Sequence, residues 1–128
     1  MIAATAIDQR ERLRAMLADT RSCPPEQIRD DALIEFKAAV VRVLSPYASA
    51  MLLDTEWGLE GARQRASKCG LLLTYEADTF HLTGTRLPGV VPHLSVRRLV
   101  ELGASGIKIL VLYTPDEDPQ VNDIKRAF

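Results

Sequence analysis

Lys108 is the residue whose surroundings in the sequence point most directly to chemistry. It stands in Gly-Ile-Lys-Ile-Leu-Val-Leu-Tyr, a segment that is otherwise almost entirely apolar. Burying an ammonium is costly unless it is paired or loses its proton, so such a lysine is a candidate imine former or phosphate-binding cation. A structural alternative stays open, in which the stem is buried and the ammonium reaches solvent.

Polar residues follow four apolar segments at the point where each segment ends. In a parallel α/β sheet the carboxyl ends of the strands share one edge, and ligands bind at that edge. Any chain that leaves a buried strand must turn polar, so each group taken alone also fits an ordinary loop. The four groups are Asp8-Gln9-Arg10, Asp54-Thr55-Glu56-Trp57, Tyr75-Glu76 and Tyr113-Thr114-Pro115-Asp116.

The remaining candidates fit ordinary structural roles better. His81 and His93 lie in a loop, and no metal-ligand set accompanies either one. Trp57 is expected to be a packing residue. Cys23 and Cys69 are far apart and lack ligand spacing, so they are expected to be reduced thiols. The glycines form no phosphate-binding motif.

The elements that would position these residues alternate along the chain. Apolar runs predict strands at residues 2–7, 48–53, 71–75 and 107–113. Helical spacing predicts a helix after the first strand and another at 31–44. Residues 59–68 are polar and compatible with a helix, which Gly70 would cap. Ser95 and Asp118-Pro119 are typical helix starts. Strands alternating with amphipathic helices predict an α/β fold with a parallel sheet.

Composition sets the class of protein. The chain has 128 residues, of which 47% are hydrophobic and 26% charged, which is typical of one soluble globular domain. A net charge of -1 without a basic block gives no case for binding nucleic acid or an anionic membrane. No apolar run is long enough to span a bilayer, and no signal peptide is indicated, so we expect a cytoplasmic protein.

Several segments together resemble a specific family. In order and with family-like spacing, the chain is similar to class I tagatose 1,6-bisphosphate aldolases, and to the related sulfofructose-phosphate aldolases. The resemblance extends over essentially the whole chain. The segments are Asp8-Gln9-Arg10, Phe36-Lys37, residues 44–54, Glu56 with Gly58-Leu59, residues 69–73 with Tyr75-Glu76, Arg86-Leu87-Pro88, Ser95-Val96 with Arg98-Leu99, Gly103-Ala104, Ile107-Lys108 and residues 110–113.

The resemblance implies a fold, a reaction and a site. The fold would be the N-terminal half of a TIM (βα)8 barrel, four parallel strands with flanking helices, as a single partial domain over residues 1–128 that is truncated in the helix after strand 4. The family is a lyase that cleaves its ketose bisphosphate without metal or cofactor, using an imine-forming lysine and a proton-transferring glutamate. Both residues would lie beyond Phe128. Asp8, Gln9 and Lys108 match substrate-binding positions, with Lys108 as a catalytic cation and not as the imine former.

Three alternatives stay open beside this hypothesis. Lys108 itself forms an imine and the short chain is active alone; the substrate is a sulfonated ketose phosphate; or the chain is a non-catalytic half-barrel that serves assembly. The first expectation is a chain that is inactive alone. An open four-stranded sheet leaves unpaired edges and apolar helix faces, which favours self-association or a complementary half-barrel as partner. Tagatose 1,6-bisphosphate is the expected ketose substrate, cleaved to dihydroxyacetone phosphate and glyceraldehyde 3-phosphate.

Overall fold

The structure, a computed structural model, describes residues 2–77 and 87–128. Within these ranges the chain alternates between four strands and five α-helices. The strands are β1 (Ala4–Ile7), β2 (Ala50–Leu53), β3 (Gly70–Thr74) and β4 (Gly106–Lys108). The helices are α1 (Glu11–Arg21), α2 (Asp30–Leu44), α3 (Leu59–Arg63), α4 (Val96–Glu101) and α5 (Pro119–Ala127), and short 3-10 turns at Pro25–Gln27 and Ser45–Tyr47 lie on either side of α2.

The strands form one sheet in the order β1-β2-β3-β4, and all neighbours are parallel. Ile7, Leu53, Leu73 and Ile107 stand side by side in one row across it. Consecutive parallel strands joined by helices are the arrangement found in half of an α/β barrel. The predicted fold class is therefore confirmed.

The main core lies on the face of the sheet to which this row belongs. Leu53 and Leu73 are fully buried, and Ile7 and Ile107 pack against the same cluster. Burying a leucine of this kind stabilises the fold by roughly 1.5–3 kcal/mol. Because successive strand residues point to opposite faces, Lys108 points away from the core side that Ile107 occupies.

A second, smaller cluster joins α1 and α2 through Trp57. Leu13 and Leu33 are buried there, and Trp57 is 6% exposed. The guanidinium carbon of Arg14 lies 4.9 Å from the centroid of the Trp57 ring, a cation–π contact. The prediction that Trp57 is a packing residue is thus confirmed.

The predicted fourth strand is too long. β4 ends at Lys108 instead of residue 113, because its partner β3 ends at Thr74, which pairs with Lys108. Beyond this point β3 offers no further ladder, and Ile109 and Val111 are 45% and 39% exposed. The apolar run was long enough for a strand, but strand length also depends on the neighbour.

Gly70 does not cap the helix that was predicted at 59–68. α3 ends at Arg63, and Gly70 is the first residue of β3. Its amide donates to the carbonyl of Ser49 at 2.9 Å, and a Cβ at Gly70 would lie 3.3 Å from that oxygen. The glycine therefore permits two chain segments to approach closely.

The two predicted helix starts are confirmed. The hydroxyl of Ser95 accepts from the amide of Arg98 at 3.2 Å. The carboxylate of Asp118 accepts from the amide of Gln120 at 2.8 Å, and Pro119 follows as the first helical residue. Both caps depend on neighbours in sequence, which is why the pattern predicted them.

Two further expectations concern the environment of the chain. Among the helices of the described ranges, none has the length and apolar character needed to cross a membrane. Cys23 and Cys69, both within those ranges, are free thiols, as the sequence predicted.

Candidate active site

Lys108 lies between two carboxylates at the carboxyl end of the sheet. Its Nζ is 3.1 Å from Oδ2 of Asp8 and 2.6 Å from Oε1 of Glu76. The exposed fraction is 31% for the Lys108 side chain, 15% for Asp8 and 6% for Glu76. The end of β4, the residue after β1 and the second residue after β3 thus meet in one partly dehydrated cluster.

These two carboxylates stabilise the protonated form of Lys108. Burial lowers the pKa of the ammonium, but hydrogen bonds to Glu76 and Asp8 and their negative charges outweigh it, so the pKa stands above its ordinary value. The side chain is therefore a fixed positive charge at neutral pH. A lysine in this state suits electrostatic stabilisation better than nucleophilic attack.

The two carboxylate oxygens of Glu76 have different environments. Its Oε1 accepts from Lys108, while its Oε2 is buried and has no hydrogen-bond partner among the described residues. A buried carboxylate oxygen without a donor is costly. A ligand hydroxyl placed here would satisfy it.

Arg10 adds a second cation beside the cluster. Its Nη2 donates to Oγ1 of Thr74 at 2.8 Å and to the carbonyl of Glu76 at 3.1 Å. It also borders an open pocket of about 390 Å³, where burial raises the pKa of the Glu56 carboxyl. The pocket is lined by Arg10, Thr55, Glu56, Ala77, Val91, Pro92 and His93.

A second ion pair lies at the same end of the sheet. Lys37 of α2 and Asp54 at the end of β2 are each fully buried and contact each other. Nζ of Lys37 also donates to the carbonyl of Gln9 at 2.7 Å and to that of Ile7 at 3.2 Å. Burial lowers the pKa of Lys37, and the attraction of Asp54 opposes this only in part.

Gln9 lies apart from Lys108. Its carbonyl accepts from Lys37, and the residue is exposed. It borders a groove along the free side of β1, lined by Ala6, Ile7, Gln9, Arg12, Leu13, Met16 and Phe36. The structure thus brings Asp8 and Lys108 together and leaves Gln9 on the neighbouring surface.

The last of the four polar groups, Tyr113-Thr114-Pro115-Asp116, lies in the loop between β4 and α5. Nδ2 of Asn122 donates to the carbonyls of Thr114 and Pro115 at 3.0 and 3.3 Å. Lys125 of α5 is buried and pairs with Glu117. These contacts fix the turn between β4 and α5.

His81, one of the two loop histidines, and Arg86, from one of the segments that resemble the family, lie outside the described residues. His93 is exposed and borders the pocket beside Arg10. Across residues 2–77 and 87–128, no group of three or more His, Cys, Asp and Glu side chains is arranged to hold a metal ion.

Sequence reasoning missed Glu76 as a member of the cluster and Lys37 as the partner of the backbone on either side of Asp8. Glu76 belonged to one of the four polar groups that follow the predicted strands, but it was not chosen as a site residue. Lys37 carried a signal that was not used, since it is a lysine on the helix face that also carries Leu33 and Val41. That face is buried, whereas Val43, an apolar residue of the same helix, is 65% exposed.

Comparison with known proteins agrees with this architecture. The chain is 45% identical over 130 residues to tagatose 1,6-diphosphate aldolase 2 of Enterococcus faecalis. It is 40% identical over 129 residues to tagatose 1,6-diphosphate aldolase of Listeria monocytogenes serotype 4a and to tagatose 1,6-diphosphate aldolase 2 of Streptococcus mutans. Each alignment covers 100% of this chain and 37–38% of the relative.

The chain therefore spans a little over a third of the length of the curated relatives that it matches. The profile of the DeoC/LacD family aldolases matches residues 2–128. This match covers nearly every residue of the sequence, and the parallel sheet agrees with it. The chain belongs to the DeoC/LacD aldolase family.

Proposed function

We propose that this chain supplies the first strands of a class I ketose-bisphosphate aldolase. The substrate would be tagatose 1,6-bisphosphate, cleaved to dihydroxyacetone phosphate and glyceraldehyde 3-phosphate. The observation that carries the proposal is Lys108, held between Asp8 and Glu76 at the carboxyl edge of the sheet. The names of the relatives support an aldolase acting on a tagatose bisphosphate.

Asp8 would contact a hydroxyl of the sugar, and Lys108 would place positive charge beside the reacting carbon. Gln9 would contact another hydroxyl from the neighbouring surface. Imine formation on the ketone joins a lysine nitrogen to that carbon and releases water. The carbon–carbon bond then breaks, its electron pair moves toward the iminium nitrogen, and a base takes the hydroxyl proton as the aldehyde forms. A second ammonium near the imine lysine lowers the pKa of that lysine.

The imine-forming lysine is expected to come from outside this chain. Lys37 is fully buried against Asp54, and Lys125 is 1% exposed against Glu117. Lys68 lies on the exposed surface, away from the sheet edge. Lys108, the remaining lysine, has a raised pKa, which opposes nucleophilic attack at neutral pH. The chain alone is therefore expected to be inactive.

Borohydride trapping tests this assignment. The chain would be incubated with dihydroxyacetone phosphate, reduced and mapped by mass spectrometry. We expect no modified lysine. A reduced adduct on Lys108 would contradict the proposal and support the alternative in which the short chain forms the imine itself.

A complementary half-barrel is the partner that would complete the site. β1 and β4 are the outer strands of the described sheet, and apolar side chains beside them are exposed. Near β4, Tyr113 is 47% exposed, and in the groove beside β1 Met16 is 56% exposed. Self-association would cover the same surfaces, and it is also the basis of the assembly-module alternative.

A mixing experiment distinguishes a complementary half-barrel from self-association. The chain would be combined with the remaining segment of the Enterococcus faecalis relative, and size would be followed by light scattering. We expect a heterodimer that cleaves tagatose 1,6-bisphosphate, with cleavage lost in Lys108→Met and kept in Lys68→Met. A stable homo-oligomer that ignores the added segment would support the assembly module instead.

A cytoplasmic location belongs to the same proposal. Its support is that Cys23 and Cys69 are free thiols, as expected in a reducing compartment. Fractionation of cells that express the chain would test it.

A further inference from the structure

The buried ammonium of Lys37 contacts the two carbonyls that flank Asp8 in the chain. It donates to the carbonyl of Ile7 at 3.2 Å and to that of Gln9 at 2.7 Å. Asp8 is the residue between them, and its carboxylate reaches Lys108. The backbone on both sides of this carboxylate is therefore held by one side chain from α2.

Asp54 completes the connection. One of its carboxylate oxygens contacts Lys37, and the other accepts from the amides of Glu56 at 3.0 Å and Trp57 at 2.7 Å. The turn after β2 and the turn after β1 are thus tied through one ion pair. Both partners are 0% exposed, so solvent does not loosen the contact.

Stability alone is a weak explanation for such a pair. Dehydrating two charges costs several kcal/mol each, and apolar residues of similar volume often serve a fold equally well. The donors of Lys37 do have a specific use, because the carbonyls of Ile7 and Gln9, at the end of β1 and in the short link to α1, would otherwise need other partners. The turn that they fix is the one that carries Asp8.

We propose that Lys37 is a positioning residue, which with Asp54 fixes the turn after β1 so that the carboxylate of Asp8 stays on the ammonium of Lys108. Its importance for catalysis rests on the proposed function, in which Asp8 and Lys108 face the substrate. The geometric claim is independent of that function. Lys37 acts through the backbone and does not touch the substrate.

The test measures whether Asp8 still affects the pKa of Lys108. Lys37, Lys68, Lys108 and Lys125 are the lysines of the sequence, so carbon-13 labelling of the lysine ε-carbons gives few signals and lets Lys108 be titrated by NMR. The substitution Asp8→Asn removes one of the groups that raise the pKa of Lys108. Its effect on that titration is compared in three backgrounds.

In the unmodified chain, Asp8→Asn lowers the pKa of Lys108. In the Lys37→Met background the same substitution leaves the Lys108 titration unchanged, because Asp8 has already left the ammonium. In the Lys125→Met background the shift is retained. Lys125 is a matched control, since it is another buried lysine paired with a carboxylate, Glu117.

An Asp8→Asn shift of equal size in the Lys37→Met background would overturn the proposal. If Lys37→Met does not fold, Asp54→Asn gives the same comparison, because its side-chain oxygen still accepts from the amides of Glu56 and Trp57. Loss of folding in both variants would also overturn it, since the pair would then support the whole fold. A lost shift together with failed aldolase reconstitution would refute the proposed function and leave Lys37 as a positioning residue.

Discussion

The Nζ of Lys108 lies 2.6 Å from Oε1 of Glu76, although the two residues are 32 positions apart. The pairing of β3 with β4 sets Lys108 opposite Thr74, and Glu76 follows two residues later. The 6% exposure of the Glu76 side chain then makes the ammonium its main source of compensation. The pairing of β3 with β4 therefore determines that Lys108 and Glu76 meet in the candidate site.

Replacing Lys108 by methionine should destabilise the chain by about 1–3 kcal/mol. The substitution leaves Asp8 and Glu76 close together without their shared cation. Urea unfolding near neutral pH would measure the loss. Lys68→Met is the matched control, because Lys68 is exposed, and its free energy of unfolding should stay within about 0.5 kcal/mol of the unmodified value. Equal stability of the two variants would contradict the expected role of the contact.

The stabilisation by Lys108 should disappear at high pH. The folded-state pKa of Lys108 stands above the ordinary value of 10.5, so the folded state holds this proton more tightly than the unfolded state. The contribution is fully present below pH 10.5 and is lost as the pH rises through the raised folded value. The difference in unfolding free energy between the unmodified chain and Lys108→Met should therefore be constant near neutral pH and shrink above 10.5. A difference that grows with pH would refute this assignment.

Gly58→Ala should disturb the turn that carries Asp54. A Cβ at this position would lie 2.5 Å from the carbonyl oxygen of Asp54 and 2.9 Å from Cβ of Leu53. Since the oxygen belongs to the backbone, the turn itself must shift, at a cost of about 1–3 kcal/mol by overpacking. Thermal or urea unfolding would measure the loss. For comparison, a Cβ at Gly70 would meet its nearest atom at 3.3 Å, so Gly70→Ala should cost less.

Leu73→Ala should be the most destabilising of these substitutions. Leu73 is fully buried in the centre of the main cluster, where truncation leaves a cavity. The expected loss is about 2–5 kcal/mol in the free energy of unfolding. Val43→Ala, at a side chain that is 65% exposed, should change stability by no more than about 0.5 kcal/mol. Similar losses in the two variants would mean that the sheet does not form the core.

Much of the fold was predictable because its signals are local. The first three strands were expected within two residues of their observed bounds, since each is an apolar run that ends at an acid or at a residue just before one. Ser95 and Asp118 were expected as helix caps because a cap binds amides only a few residues away. The alternation of these elements was sufficient to predict a parallel sheet.

The candidate site was predictable in part. Lys108 was chosen because an ammonium in an apolar strand is costly without a partner, and Asp8 was assigned to the site by the resemblance to the aldolase family. The structure places the two side chains 3.1 Å apart. Gln9 was assigned to the site by the same resemblance. Neighbouring residues at the end of a strand point in different directions, so Gln9 lies on the adjacent surface.

The sequence by itself determined which segments are strands and helices, where the helices begin, and which charged residues stand at strand ends. The tertiary structure decided where β4 stops, which face of α2 is buried, that Glu76 joins the cluster, and that Lys37 binds the carbonyls on either side of Asp8. The physical reason is the range of the interactions. Propensity, capping and periodicity act over a few residues, whereas ladder pairing and the burial of a charge depend on partners that lie far away in the chain.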